Sequence, residues 1–260
     1  MRQITVFQLS CIGISLFITF LLVFAIASLF LVPDLEDVWK NLWSDEMRFS
    51  LKLSMLTGIV STLMVMVFAL PIGYALSRFD FPFKGFVKTI LDLPVAFPEL
   101  VLGLCLLLLF GNTLVGEVFR RLSVDLVFTK QGIVAAQFFT ALPYASRILK
   151  STFDYINPRL EFVSRSLGYT QRETFFNVSL PLAKNGILAA TVISFARCIG
   201  TFGTVLILAG GTYMKTEVLP MTLYLNISYG NMGMALTSGI VLTTVSFIAI
   251  FIFEKAEVGI

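Results

Sequence analysis

The chain has 260 residues, is 57% hydrophobic and 13% charged, and carries a net charge of +3 with a mean hydropathy of +0.89. Those totals define a polytopic membrane protein and give nucleic acid no basic footprint. No histidine is present, which removes imidazole acid–base chemistry, Ser-His triads and most zinc or haem sites.

A transmembrane helix needs about 20 apolar residues. Six segments qualify, namely 6–32, 51–76, 93–110, 132–149, 182–209 and 232–253. The first follows Arg2, is longer than a signal-peptide core and ends in no small-x-small cleavage pattern, so it is read as a retained span. The second contains Pro71 and the fourth Pro143, both expected to kink their helices. The third is short and opens with Pro94 and Pro98. A single-chain barrel would show ten-residue alternating segments instead, so the expected fold is all-α with six transmembrane helices. Cys11, Cys105 and Cys198 lie in apolar runs and read as small buried hydrophobes, not disulfides or metal ligands.

Lys and Arg set the orientation. With the amino terminus in the cytoplasm, eleven (Arg2, Arg78, Lys84, Lys88, Arg147, Lys150, Arg159, Arg165, Arg172, Lys184 and Lys255) fall inside. Seven fall outside, among them Arg120 and Arg121, whose reading as a solvated or headgroup-facing pair is preferred over contact with an external protein partner. No linker or repeat divides residues 1–260, so one transmembrane domain is expected. There is no GxxxxGKS or GxxxxGKT loop, nucleophile elbow or paired-carboxylate site. The chain is therefore read as no enzyme, with no metal and no cofactor bound, driven by a partner or an ion gradient.

Arg197 sits inside the fifth span, where a charge costs about 2.5–3.5 kcal/mol on insertion scales. Ser194, Arg197, Thr201 and Thr204 recur at helical spacing and are expected on one face, beside Phe202 and Gly203. Two readings stand: the stripe lines a path or gate for a divalent oxyanion, or Arg197 snorkels or pairs with an acid, Glu99 being the candidate. Glu99 follows Pro98 and is read chiefly as a negative charge at the start of the third span. Gly200, Gly203, Gly210 and Gly211 are read as packing positions.

Between the fourth and fifth spans lies a polar island, LEFVSRSLGYTQRETFFNVSLP, residues 160–181. Residues 164–167 and 170–178 are expected as two short helices broken at Gly168, with Pro181 able to begin another. Such a helix–turn–helix on the membrane surface fits a groove on a partner.

The island resembles the cytoplasmic coupling motif of ABC importer permeases, which reads EAA, three residues, Gly, nine residues, Ile-x-Leu-Pro. Counting from Gly168, the motif falls on Phe162, Val163 and Ser164 and ends at Val178, Leu180 and Pro181, with Glu161 beside the usual glutamate position. Segments of spans two to four are similar to the same family. In the fifth, Ala196-Arg197 and Phe202-Gly203 match its molybdate, tungstate and sulfate branch, with Thr201 in place of a glutamate. The resemblance implies a type I permease subunit in the cell (plasma or inner) membrane. Two copies would form a pore, docked through residues 157–181 on two cytoplasmic ATPase subunits and fed by an external binding protein. Phe162 at the glutamate position implies a docking contact led by shape and apolar burial. The competing class, a self-contained secondary transporter or channel, would show inverted repeats or a buried acidic relay, and neither is seen.

Overall fold

The computed structural model describes residues 6–258, with side chains from 7 to 252; Arg2 and the Lys255 side chain lie outside the described residues. Every regular element among them is helical. Three helices are long and apolar enough to cross a bilayer: α1 (Val6–Leu31), α3 (Asp45–Arg78) and α14 (Met232–Val258). Two bent pairs add further crossings. One joins α4 (Lys84–Ala96) to α5 (Glu99–Asn112) at 117°, and the other joins residues 171–182 to α11 (Lys184–Gly200) at 72°. Three to five apolar crossings thus stand where six were expected.

Each difference has a local cause. The expected span 93–110 breaks at Phe97 and Pro98, both extended (ψ 143° and 138°), because the proline ring forces its predecessor out of the helical region. The expected span 182–209 breaks at Thr201 (ψ 119°), and the helix resumes as α12 (Gly203–Ala209). The expected fourth span is α7 (Lys130–Tyr155), about 39 Å long at 1.5 Å per residue but less apolar than its neighbours. It is the central helix, packed by α3, α4, α11 and α12. Ile133, Ala136, Ala141, Ala145, Leu149 and Phe153 are fully buried in that packing. Protein rather than lipid covers the helix, so polar groups survive on it in mutual hydrogen bonds. Ser61 donates to Gln137 Oε1 at 2.8 Å, and Gln137 Nε2 donates to Thr57 at 3.3 Å.

At one end of the bundle lie α2 (Leu35–Leu42), α6 (Leu114–Arg121) and the entry to α3. There α13 (Leu219–Ser228) packs back on α3: the Leu219 amide donates to Ser54 Oγ (2.8 Å), and Asn226 Nδ2 donates to Glu46 Oε1 (2.6 Å). The segment 158–182 lies at the opposite end. Only Cys198 matches the expectation of buried cysteines; Cys11 and Cys105 are exposed. Cys11 sits on α1, whose apolar surface the rest of the chain leaves uncovered, and Cys105 on the outward face of α5.

Candidate functional site

The polar segment folds as α8 (Pro158–Ser166), a turn, α9 (Gln171–Thr174), a π-turn (Phe175–Ser179) and α10 (Leu180–Leu182). The first helix starts six residues earlier than expected, because Asn157 caps it through the Arg159 amide (3.0 Å) and Pro158 fits its first turn. Gly168 takes φ +98°, a conformation that glycine reaches without a Cβ penalty, so the break falls where expected. The second helix opens on a capping box. The Thr170 hydroxyl accepts from the Glu173 amide, and the Glu173 carboxylate accepts from the Thr170 amide at 2.7 Å. That exposed carboxyl is held below its usual range, first by the backbone hydrogen bond from Thr170. Its helix continues into the π-turn, where the Leu180 amide reaches back to the Phe175 carbonyl.

Two of the motif residues face inward. Ser164 is buried and shares a hydrogen bond with Thr174 (3.1 Å), tying the two helices together. Glu161 pairs with Arg78, the last residue of α3, at 2.9 Å, with both side chains largely buried (9% and 13% exposed). Ser179 donates to the same carboxylate oxygen (2.8 Å), and a second Arg78 nitrogen donates to the Ile156 carbonyl (2.7 Å). Tyr74 packs its ring on Phe79, Phe153 and Phe175 around this group. The segment is thereby bolted to the ends of α3 and α7. Its outer surface carries exposed apolar side chains among charged ones: Phe162 is 72% and Leu167 75% exposed, with Leu160, Val163 and Tyr169 beside them and Arg159, Arg165 and Arg172 exposed as well. Phe162, Arg165, Tyr169 and Gln171 line a depression of about 470 Å³. Val163, Gly168 and Pro181 are exposed and Leu180 is half-buried.

In mid-bundle the expected stripe divides. Ser194, Thr201 and Thr204 are buried, whereas Arg197 is exposed. The Ser194 hydroxyl donates to the Ala190 carbonyl (2.6 Å) and that of Thr201 to the Arg197 carbonyl (2.7 Å). Thr204 donates to the Glu99 carbonyl (3.1 Å) and accepts from Thr140 (3.2 Å). The break after Gly200 turns the segment beyond it away from the face of α11. Glu99 is not the partner of Arg197. Its carboxylate accepts from the amides of Phe202 (3.2 Å) and Gly203 (2.9 Å), the donors that the break leaves open. Gly203 permits this approach, since a Cβ there would stand 2.9 Å from the Glu99 Cβ. Arg197 instead lies over the Tyr144 ring, 4.1 Å from its centroid, and donates to the Tyr144 hydroxyl at 2.6 Å. Among the described residues it forms no ion pair. Tyr144 and Arg78 escape a sequence reading that seeks only acids near the cation and glutamates in the loop. The signals available were an aromatic ring directly after Pro143 and a cation closing α3.

The same fold is found in chains of ABC transporters of known structure. A chain of a bacterial alginate ABC transporter, solved in complex with its pentasaccharide-bound periplasmic protein, superposes with a TM-score of 0.75 at 16% identity. That match covers 95% of this chain and 92% of the other. The model of the family described as binding-protein-dependent transport system inner membrane component matches residues 66–257, and the chain belongs to that family. It is a permease subunit and not an enzyme. Its relatives include the molybdate/tungstate transport system permease protein WtpB of Methanocaldococcus jannaschii, 36% identical over 185 residues and 71% of each chain. Another is the sulfate transport system permease protein CysT of Escherichia coli, 30% identical over 190 residues, 73% of this chain and 69% of that one.

Proposed function

We propose that this chain, as a homodimer, forms the pore of an ATP-driven importer for a tetrahedral oxyanion, molybdate or tungstate. The observation that carries the reading is Arg197, an exposed guanidinium at span depth whose partner is a neutral phenol and not an acid. An intramembrane cation without a counter-ion favours an anion that arrives and leaves. Tyr144 holds the guanidinium by its face and one hydrogen bond, leaving its other N–H donors for the cargo. Phe202 and Gly203 form the hinge beside it, while Ser194, Thr201 and Thr204 keep the backbone around the hinge satisfied. The relatives named for molybdate/tungstate transport support this cargo, and the one named for sulfate supports a second reading with the same geometry.

In this reading the chain crosses a plasma or inner membrane six times from a cytoplasmic amino terminus, with α7 as the fourth crossing. The surface of Phe162, Val163, Gly168, Leu180 and Pro181 seats on a cytoplasmic ATPase subunit, one per copy. Glu161 and Ser164 hold that surface in shape from behind. An external binding protein delivers the anion to the opposite end.

Reconstituted with the ATPase and binding-protein subunits, the permease should take up labelled molybdate or tungstate on ATP addition. Arg197→Ala should lower uptake roughly 10- to 100-fold, the range of a lost hydrogen bond to a charged group. Arg197→Lys should recover part of it. Normal uptake by a well-folded Arg197→Ala protein would sink the oxyanion path, and a preference for labelled sulfate would select the second reading.

A further inference from the structure

We propose that the end of the bundle opposite the 158–182 segment holds one anionic phospholipid, its headgroup between Arg120 and Lys215 and an acyl chain between α3, α5, α6 and α7. The inference is independent of which anion is carried.

Two cavities meet there. The inner one, of about 680 Å³, opens no polar surface and is walled by Met64 and Phe68 of α3, Phe110 of α5, Phe119 of α6 and Phe138 of α7. The outer one, of about 280 Å³, is lined by Arg120, Asp125, Thr129 and Lys215. Phe110, Phe119, Val124 and Leu126 line both, so the carbon-walled slot and the charged mouth adjoin across these four side chains. Arg120 and Lys215 form no ion pair among the described residues, and Asp125 pairs with neither.

The depth of the mouth matches a headgroup. Helix α6 exposes Leu114 and Val118, with Leu122 exposed just past its end, and carries Arg120 and Arg121 in its last turn, the pattern of a helix lying in the membrane–water boundary. Both tryptophans of the chain, Trp39 and Trp43, are exposed at the same end, where tryptophan marks the interface. Nearby, Lys130 lies over the Phe49 ring (5.5 Å) and Arg48 over Trp43 (5.0 Å). A slot that opens no polar surface, although Gln131 borders it, suits an acyl chain, and two unpaired cations at the adjoining mouth select a negative headgroup over a zwitterionic one.

With Asp125 counted against the two cations, the net single charge corresponds to about a fivefold preference. The test is native mass spectrometry of the purified chain equilibrated with equal phosphatidylglycerol and phosphatidylcholine. One retained lipid per chain, favouring phosphatidylglycerol about fivefold, is expected. Replacing both Arg120 and Lys215 by alanine leaves Asp125 alone at the mouth, and should reverse the preference while keeping the binding. Ala135→Trp, or Met64→Trp if the first variant misfolds by its melting curve, should fill the slot and lower retention of both lipids. Absence of a stoichiometric lipid, equal retention of the two lipids by the wild type, or unchanged retention in a slot-filled variant overturns the site. So does a disulfide between two copies of Met64→Cys, which would show a second chain in the slot.

Discussion

Arg78 and Glu161 are the residues on which the exposed segment hangs. Both are nearly removed from solvent, and each carries further hydrogen bonds, so deleting one leaves the other charged and unpaired in a poorly solvated place. Breaking such a pair costs about 3–5 kcal/mol. Arg78→Ala should therefore lower the melting temperature of the detergent-solubilised protein, and Arg78→Ala with Glu161→Gln should lose less than the two single changes added. Additive losses would mean the pair contributes no coupling. At the opposite end stands Glu217, fully buried, with Oε2 accepting from the Met214 amide (3.0 Å) and Oε1 without a hydrogen-bond partner. Burial first, and then the charge of Glu46, lift its carboxyl above the ordinary glutamate value of 4.5, while the Met214 amide pulls the other way. Asp45 and Tyr213 stand at the same place and are both acidic, with Lys215 two residues before Glu217 in the chain. A raised acid binds its proton more tightly folded than unfolded. Its stabilising effect is complete below the unfolded value and is lost as pH rises through the folded one. The wild type minus Glu217→Gln difference in melting temperature should thus shrink, then reverse, as pH climbs from about 4.5 toward neutrality. A pH-independent difference would show that Glu217 does not titrate in this way.

At the scale of elements, the segment 158–182 depends on two local devices of unequal strength. The Thr170–Glu173 capping box satisfies amides that the start of α9 would leave open, and Thr170→Ala should cost about 1 kcal/mol. The turn at Gly168 is a harder constraint. At φ +98° a β-branched side chain is strained although open space surrounds the position, so Gly168→Val should cost about 1–2 kcal/mol and redirect α8 against α9. Trypsin cleavage at Arg165 and Arg172 should quicken modestly in the first variant and strongly in the second. Transport-linked ATP hydrolysis in the assembled complex should follow the same order; equal ATPase coupling in both would remove the docking role from this turn. Much of this segment was legible in the sequence, because Gly168 and Pro181 act through their own backbone and Thr170 through a residue three positions on. The breaks at Phe97–Pro98 and Thr201–Phe202 were less so. Pro98 signalled the first, but the second is fixed by Glu99, whose carboxylate reaches amides 103 and 104 residues away. Local periodicity carries no trace of such a partner, and it drew Arg197 and three hydroxyls onto one face, whereas Thr201 and Thr204 lie past the break and Ser194 is buried on the same helix that exposes Arg197.

Taken whole, the molecule has two chemically different ends. The four ion pairs among the described residues, Arg78–Glu161, Lys84–Asp80, Arg147–Asp92 and Lys150–Asp154, all gather at or near the end that carries the 158–182 segment. At the other end Arg48 and Lys130 lie on aromatic rings, Arg120 and Lys215 line a surface cavity, and none of the four forms an ion pair among the described residues. Composition and the absence of alternating segments made the membrane class and the helical fold legible, and the resemblance of residues 160–181 to a known motif made the family legible. Long-range pairs such as Arg78 with Glu161, 83 residues apart, were not, because each member reads alone as an ordinary end-of-span charge. The asymmetry turns the proposed orientation into a measurement. In a background with Cys11, Cys105 and Cys198 replaced, Ser166→Cys and Arg121→Cys sit on exposed residues at opposite ends. A membrane-impermeant maleimide applied to intact cells should label position 121 and spare 166, and permeabilisation should open 166 to the reagent. The lysine and arginine excess predicts that order, since basic residues in short loops are retained on the cytoplasmic side. The reverse pattern would place the apolar docking surface where no ATP is available, and would overturn the coupling role of the segment together with the orientation.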